Sequence, residues 1–134
     1  MICEGEHAYY SNSEDAIHMP AFTKFKSAAG FYGTLAHEYG HWAGAPTRLN
    51  RDLTGRFGDQ KYATEELVAE LTSAMLCAYL ALPLEPRTDH APYMQNWLTA
   101  LRTDKRAIFT AASKAQEAAN YLEQLAGIPA PRAA

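Results

Sequence analysis

The stretch HEYGH at positions 37–41 contains side chains that can hold a metal ion and move a proton. Residues four apart in a helix lie on one face, one turn above the other, so His37 and His41 can bind the same ion. Two imidazoles at this spacing can coordinate Zn²⁺ at about 2.0–2.1 Å. Glu38 projects beside them without being a ligand, which is the position of a general base that takes a proton from a water molecule.

The residues around this motif predict that its helix is buried. Between positions 28 and 47, Glu38 is the only carboxylate or basic side chain apart from the two histidines. Large apolar side chains occur on nearly all sides of the helix, at Phe31, Tyr32, Leu35, Tyr39 and Trp42. Burying two histidines and a glutamate without partners would be costly, and a bound metal removes that cost. The alternative is a pair of core histidines that donate to backbone carbonyls.

A third ligand is needed, because zinc sites of this kind use three protein ligands and one open position. One known pattern, H-E-x-x-H-x-x-G-x-x-H, places a third histidine where this sequence has Thr47. We therefore expect the third ligand from the acidic stretch at 65–70, where Glu66 and Glu70 share one helical face. Small residues extend this face and allow a close approach to the HEYGH helix: Ala63, Ser73 and Cys77.

We predict that Glu66 is the third ligand and that Glu70 accepts a hydrogen bond from a ligand imidazole, which fixes the tautomer of that ring. Glu65 lies on a different face of the same helix and is the alternative ligand. The competing interpretation is a surface acidic cluster paired with Lys61 or Arg56.

Three further residues are weaker candidates for the site. His18 lies on a predicted strand and is a rival ligand, although a strand histidine is more often a surface or hydrogen-bonded core residue. His90 and Tyr93 flank the start of a predicted helix, and either would stabilise an oxyanion if that helix end faced the metal.

These residues must be positioned by a small hairpin and several helices. Two β-prone runs at 8–10 and 16–19 flank a Ser/Asn/Asp cluster and predict the hairpin. A short helix is predicted from position 21, and longer helices follow at 28–43, 62–82, 91–103 and 105–126, with a long loop at 46–61. The predicted fold class is α+β, mostly α, as one domain over residues 1–127 with a flexible tail at 128–134.

The composition is that of one globular domain. The chain has 134 residues, of which 48% are hydrophobic and 20% charged, and the formal net charge of −3 does not favour a nucleic-acid platform. Two cysteines are too few for a disulfide framework, which indicates a reducing compartment. We find no signal-peptide pattern and no apolar stretch that would span a membrane, so we expect a cytoplasmic protein.

The combined motifs resemble the zincin-like metallopeptidase domain of ArdC-type antirestriction proteins, which occurs in plasmid and phage polyvalent proteins. The similar stretches are HEYGHW at 37–42, RLNRD at 48–52, GRFG at 55–58, YA at 62–63 and EELVAE at 65–70. Further similar stretches are YYS at 9–11, IHMP at 17–20, WL at 97–98 and DKRAIF at 104–109. The resemblance covers nearly the whole chain.

This resemblance implies a zincin-like fold in which the edge strand of the hairpin lies above the metal helix. It implies a zinc site formed by His37, His41 and a glutamate from the stretch 65–70. Full-length relatives carry an N-terminal region that binds single-stranded DNA, and that region is absent from this chain. The resemblance therefore assigns DNA binding to a part that this sequence does not contain.

We expect a gluzincin-like zinc metallopeptidase that hydrolyses a protein or peptide substrate through a zinc-activated water, with Glu38 as general base. The alternative is a zinc-stabilised binding module that captures DNA or a restriction enzyme without significant peptidase activity. A third interpretation is a helical interaction domain without metal, for which the HEYGH motif would be a coincidence.

Overall fold

The computed structural model describes residues 1–56, 59–83 and 91–127. Its elements are three short strands, β1 (Ile2–Cys3), β2 (Tyr9–Ser11) and β3 (Ala16–Met19), followed by a 3₁₀ turn at Phe22–Lys24. Four α-helices come next: α1 (Ala28–Ala43), α2 (Gln60–Tyr79), α3 (Ala91–Thr103) and α4 (Ala107–Leu125). The predicted fold class, α+β and mostly α, is confirmed. The tail at 128–134 lies outside the described residues.

The strands form a three-stranded sheet in the order β1-β3-β2. The predicted hairpin is present: β2 pairs antiparallel with β3, and Tyr10 lies opposite Ile17. The strand β1 was not predicted; it pairs in parallel with β3 over two residues. The strand β3 is central and is paired along both edges. Its residues Ile17, His18 and Met19 are all buried, because Ile17 and Met19 pack against α1 and His18 stacks on Tyr9.

The helix α1 has the bounds that the sequence predicts. Ser27 caps its first turn by accepting a hydrogen bond from the backbone N–H of Gly30 at 2.9 Å. At its other end, the N–H of Gly44 donates to the carbonyl of His41 at 2.8 Å, which tightens the last turn. One side of α1 packs on the sheet, where Phe31 joins Ile17 and Met19 in a buried apolar cluster.

The helix α2 packs on the side of α1 that faces away from the sheet, and the backbones of the two helices come very close together. A Cβ placed on Gly40 would lie 2.9 Å from the Cα of Ala69, so only glycine allows this approach. Farther along, the hydroxyl of Ser73 donates to the carbonyl of Gly33 at 2.8 Å. The predicted approach of small residues is therefore present, with Ala69 rather than Ala63 at the tightest point. The opposite side of α2 packs on α4 through Val68, Ala111 and Ala115.

The loop between α1 and α2 folds back onto the end of α1. The backbone N–H of Leu49 donates to the carbonyl of Ala43 at 3.0 Å, and that of Arg51 donates to the carbonyl of Gly44 at 2.8 Å. Asp59 ends the loop and caps α2, because its carboxylate accepts from the N–H of Tyr62 at 2.7 Å. This cap explains why α2 begins at Gln60, two residues earlier than its apolar pattern indicates.

Candidate metal centre

A cavity of about 220 Å³ lies between β2, the second half of α1 and the first turns of α2. Its lining combines aromatic side chains from the hairpin with the titratable side chains of the two helices. The lining residues are Ala8, Tyr9, Tyr10, Asn12, His37, Glu38, His41, Leu53, Gly55, Tyr62, Glu65 and Glu66. The HEYGH motif and the acidic stretch at 65–70 therefore face one space.

Donor atoms of three side chains converge at this cavity. The Nε2 atoms of His37 and His41 are 3.2 Å apart. A carboxylate oxygen of Glu66 lies 3.3 Å from Nε2 of His37, and its other oxygen lies 3.1 Å from Nε2 of His41. Tetrahedral bonds of about 2.0–2.1 Å to one ion would place two donor atoms about 3.3 Å apart. The separations therefore fit a single ion of the size of Zn²⁺.

A carboxylate lies behind each imidazole. Nδ1 of His37 donates to Glu70 at 3.1 Å, and Nδ1 of His41 donates to Glu65 at 3.2 Å. A carboxylate only accepts hydrogen bonds, so these contacts place a hydrogen on Nδ1 of each ring and leave each Nε2 directed at Glu66. The space between the two Nε2 atoms and this carboxylate favours a positive charge, which is a proton in the metal-free cluster and would be a metal ion in the loaded site. The donor set is thus that of a metal site.

The electrostatics of the cluster also favour positive charge. Burial alone would lower the pKa of His41, but hydrogen bonds to Glu65 and Glu66 and the charges of Glu66 and Glu38 raise it to about 10. Burial likewise would raise the pKa of Glu66, but hydrogen bonds from His37 and His41 hold it well below its usual range. The carboxylate of Glu66 therefore stays ionised and stabilises a cation beside the imidazoles.

Glu38 occupies a different place from the other carboxylates. Glu38 is 4% exposed, and it lines the same cavity as His37, His41 and Glu66. Within residues 1–56, 59–83 and 91–127, no group donates a hydrogen bond to its carboxylate. Because it lines the cavity and is held by none of these groups, its carboxylate is free to accept a hydrogen bond from a molecule in the cavity, which indicates a functional role rather than a structural one.

The family model of a zincin-like metallopeptidase matches residues 1–114 of the chain, a stretch that includes the whole of the site just described. The chain belongs to the zincin-like metallopeptidase family. This confirms the resemblance inferred from the motifs.

Among the helices of this zincin-like domain that the structure describes, we find none with the length and apolarity needed to cross a membrane.

Solved structures support the assignment. The metal-free crystal structure of the antirestriction protein ArdC from plasmid R388 matches with a TM-score of 0.81 and 48% identity, over 96% of this chain and 47% of that one. The Mn(II)-bound structure of the same protein matches with a TM-score of 0.79 and 50% identity, over 92% of this chain and 46% of that one.

Curated relatives contain the same domain within longer chains. The uncharacterised protein y4eC of Sinorhizobium fredii (strain NBRC 101917 / NGR234) is 55% identical over 118 residues, which are 88% of this chain and 38% of that protein. A DNA primase TraC of Escherichia coli is 43% identical over 123 residues, which are 90% of this chain and 12% of that protein. The zincin-like domain therefore spans less than half the length of these relatives.

His18, the rival ligand of the sequence analysis, has other partners than the metal centre in the described part of the zincin-like domain. His18 stacks on the ring of Tyr9, with 4.5 Å between the ring centroids, and its Nε2 lies 2.7 Å from Glu14. Within the described part of the chain, the group that could hold a metal ion is His37, His41 and Glu66, without His18. His90 and the side chain of Tyr93 lie outside the described residues.

The sequence analysis missed two residues that contribute to the site, Tyr62 and Arg51. Tyr62 lines the cavity one turn before Glu66 on α2, and its spacing of four residues from Glu66 was a usable signal. Arg51 lies in the loop, where no periodicity applies, yet its side chain is 6% exposed and forms an ion pair with Glu65. Glu65, the alternative ligand of the sequence analysis, directs both oxygens at Arg51 and one at Nδ1 of His41.

Proposed function

We propose that this domain is a metal-dependent peptidase in which His37, His41 and Glu66 hold a divalent cation. Two imidazoles and a carboxylate suit Zn²⁺, which is the ion we expect in the working protein. The convergence of these three side chains, with 3.1–3.3 Å between their donor atoms, supports this proposal. The Mn(II)-bound structure of the ArdC relative supports a divalent cation in this family fold.

A divalent cation at this position supplies Lewis-acid activation of a water molecule and of a substrate carbonyl. Glu38 is the group that takes the proton from the attacking water, because it is an ionisable acceptor in the same cavity without a hydrogen-bond donor in the described chain. It then passes the proton to the leaving amine of the cleaved peptide. The burial of Glu38 without a donor among the described residues is the single observation that carries the proposal of catalysis.

The hairpin provides a surface for a protein or peptide substrate. The strand β2 pairs on one side only, with β3, among the strands of the described chain, and its Tyr9 and Tyr10 line the cavity. An extended peptide can add to such an edge through backbone hydrogen bonds, which brings its carbonyl groups to the metal centre. The aromatic side chains then contact the substrate on either side of the scissile bond.

Replacement of Glu38 by Gln tests the mechanism. We expect the variant to retain one Zn²⁺ per chain by elemental analysis, and to cleave quenched fluorescent casein about 10²–10⁴-fold more slowly, since the general base is lost. The matched control is Glu117→Gln, the same chemical change at an exposed position of α4, which should cleave at the wild-type rate. Equal cleavage by Glu38→Gln and the wild type would refute the role of Glu38.

The names of the relatives favour a second candidate, a metal-stabilised module that acts by binding in an antirestriction protein. In that case the wild type would bind zinc without cleaving casein or a mixed peptide library, and Glu38→Gln would protect DNA from restriction as the wild type does. We assign DNA binding to regions of the longer relatives outside this domain, because three basic residues in and next to the loop form internal ion pairs: Arg48 with Asp15, Arg51 with Glu65 and Lys61 with Asp52.

A further inference from the structure

Arg51 forms a buried two-point contact with Glu65 directly behind the metal centre. Its Nε donates to one oxygen of Glu65 at 3.0 Å, and its Nη2 donates to the other oxygen at 2.7 Å. Such a fork-to-carboxylate contact fixes the plane of the carboxylate as well as its position. The side chain of Arg51 is 6% exposed and that of Glu65 is 13% exposed, so solvent does not compete strongly for either group.

The same oxygen of Glu65 that binds Nη2 of Arg51 also accepts the hydrogen on Nδ1 of His41, at 3.2 Å. Arg51, Glu65 and His41 thus form a continuous chain of charged hydrogen bonds that ends at a donor atom of the metal centre. For His37 the equivalent contact is made by Glu70. A carboxylate behind a ligand imidazole sets the orientation of the ring and raises its basicity.

The backbone of α1 is shaped to admit this arginine. Nη2 of Arg51 also donates to the carbonyl of Gly40 at 2.6 Å, one residue before His41. A Cβ on Gly44 would lie 2.6 Å from Nη2, so a side chain there would displace the guanidinium. The contacts therefore attach the carboxylate of Glu65, from α2, to the turn of α1 that carries His41.

We propose that Arg51 is a positioning residue for the metal ligand His41 and acts through Glu65. It holds the carboxylate where it accepts the Nδ1 hydrogen, so that Nε2 of His41 stays directed at the other two donors. Because a buried ion pair adds little to stability by itself, the geometry of the contact is its main contribution. This role rests on the proposed metal site but not on peptidase activity.

A double-mutant cycle on zinc affinity tests the proposal. The variants are Arg51→Lys, Glu65→Gln and both together, and affinity for Zn²⁺ is measured by competition with a chromophoric chelator. We expect about a 10–100-fold loss of affinity in each single variant, the usual effect of removing a partner behind a ligand. Because Arg51 acts through Glu65, the double variant should bind zinc no more weakly than Glu65→Gln.

The matched control is Arg48→Lys, which changes a second buried arginine of the same loop. Arg48 donates to the carbonyl of Trp42 at 2.6 Å and pairs with Asp15, away from the donor atoms. We expect this variant to lower the melting temperature of the metal-free protein while zinc affinity stays within about twofold of the wild type. The Co²⁺-loaded forms add a readout of ligand geometry, because the visible absorption of Co²⁺ should change in Arg51→Lys and not in Arg48→Lys.

The proposal is overturned if Arg51→Lys weakens zinc binding by the same factor in the wild type and in the Glu65→Gln background, or if it leaves affinity unchanged. If Arg51→Lys does not fold, Glu65→Asp takes its place, since a shorter acid cannot reach Arg51 and His41 together; wild-type affinity in that variant would overturn the proposal. Failure of the wild type itself to bind zinc would instead refute the metal site and the proposed function with it.

Discussion

Each histidine of the HEYGH motif uses one ring nitrogen for a carboxylate and leaves the other for the cavity. The pair of contacts to Glu70 and Glu65 determines which nitrogen faces Glu66. The spacing of the motif predicts His37 and His41 as ligands, and a second spacing of four residues predicts Glu66 as the third ligand with Glu70 behind it. The structure brings these side chains together, and their roles as ligands stay predictions. The role of Glu65 could not be predicted, because it depends on Arg51, a loop residue whose position follows from tertiary contacts alone.

At this scale we predict that Glu66→Gln and Glu70→Gln differ in how strongly they weaken metal binding. Loss of the negative donor in Glu66→Gln should lower zinc affinity by more than about 100-fold, whereas loss of the charge behind His37 in Glu70→Gln should lower it by about 10–100-fold. Competition titrations of the purified variants measure both effects. A larger loss in Glu70→Gln than in Glu66→Gln would show that the third donor is assigned to the wrong glutamate.

The helices α1 and α2 act as one unit because glycine lets their backbones touch. Gly40 meets the backbone of Ala69, whereas a Cβ placed on Gly33, two turns earlier on α1, would lie 3.9 Å from Sγ of Cys77, which is an ordinary contact distance. The sequence predicted the bounds of α1 from Gly44 and Pro46, and it predicted the close approach from the small residues of α2. It did not predict β1, since a two-residue strand has no periodicity and depends on a distant partner.

At the scale of elements we predict opposite effects of alanine at the two glycines. Gly40→Ala should lower the free energy of unfolding by about 1–3 kcal/mol, because its new methyl group forces α2 away. Gly33→Ala should raise it by about 0.5–1 kcal/mol, because alanine favours the helix and finds room. Urea unfolding of the metal-free variants measures both values. Gly40→Ala should also weaken zinc binding, since α2 carries Glu66, and equal zinc affinity in the two variants would contradict this reasoning.

On the scale of the whole molecule, Arg48 connects the hairpin to the helical part. Its guanidinium pairs with Asp15 at the hairpin turn, donates to the hydroxyl of Tyr10 at 3.2 Å and lies 3.9 Å from the ring centre of Trp42. The α+β class and the order of the hairpin and the helices were predictable from hydrophobic periods, caps and prolines. The contact between Arg48 and Asp15 was not predictable, because the two residues are far apart in the sequence and the pattern around each one indicates only a loop or a turn.

We predict that Asp15→Asn destabilises the domain in a pH-dependent way. Hydrogen bonds from Arg48 and Tyr10 hold the pKa of Asp15 below its ordinary value of 3.8. A lowered pKa means that the contribution of Asp15 to stability is complete above pH 3.8 and is lost as the pH falls through the folded value. The melting temperatures of the wild type and Asp15→Asn should therefore differ at pH 7 and converge below pH 3.8. A constant difference across this range would show that the charge of Asp15 is unimportant.

The segment from His37 to Glu70 contains every polar group assigned to the metal centre, including Arg51. In folding terms, only one chain loop has to close for these groups to meet, and the entropy lost in closing a loop rises slowly with its length. The hairpin docks on α1 over a shorter stretch still, between Ile17 and Phe31, whereas the packing of α2 on α4 joins residues farther apart, such as Val68 and Ala111. All the proposed ligands therefore precede α3 and α4 along the chain, so they are synthesised before the helix that packs behind α2.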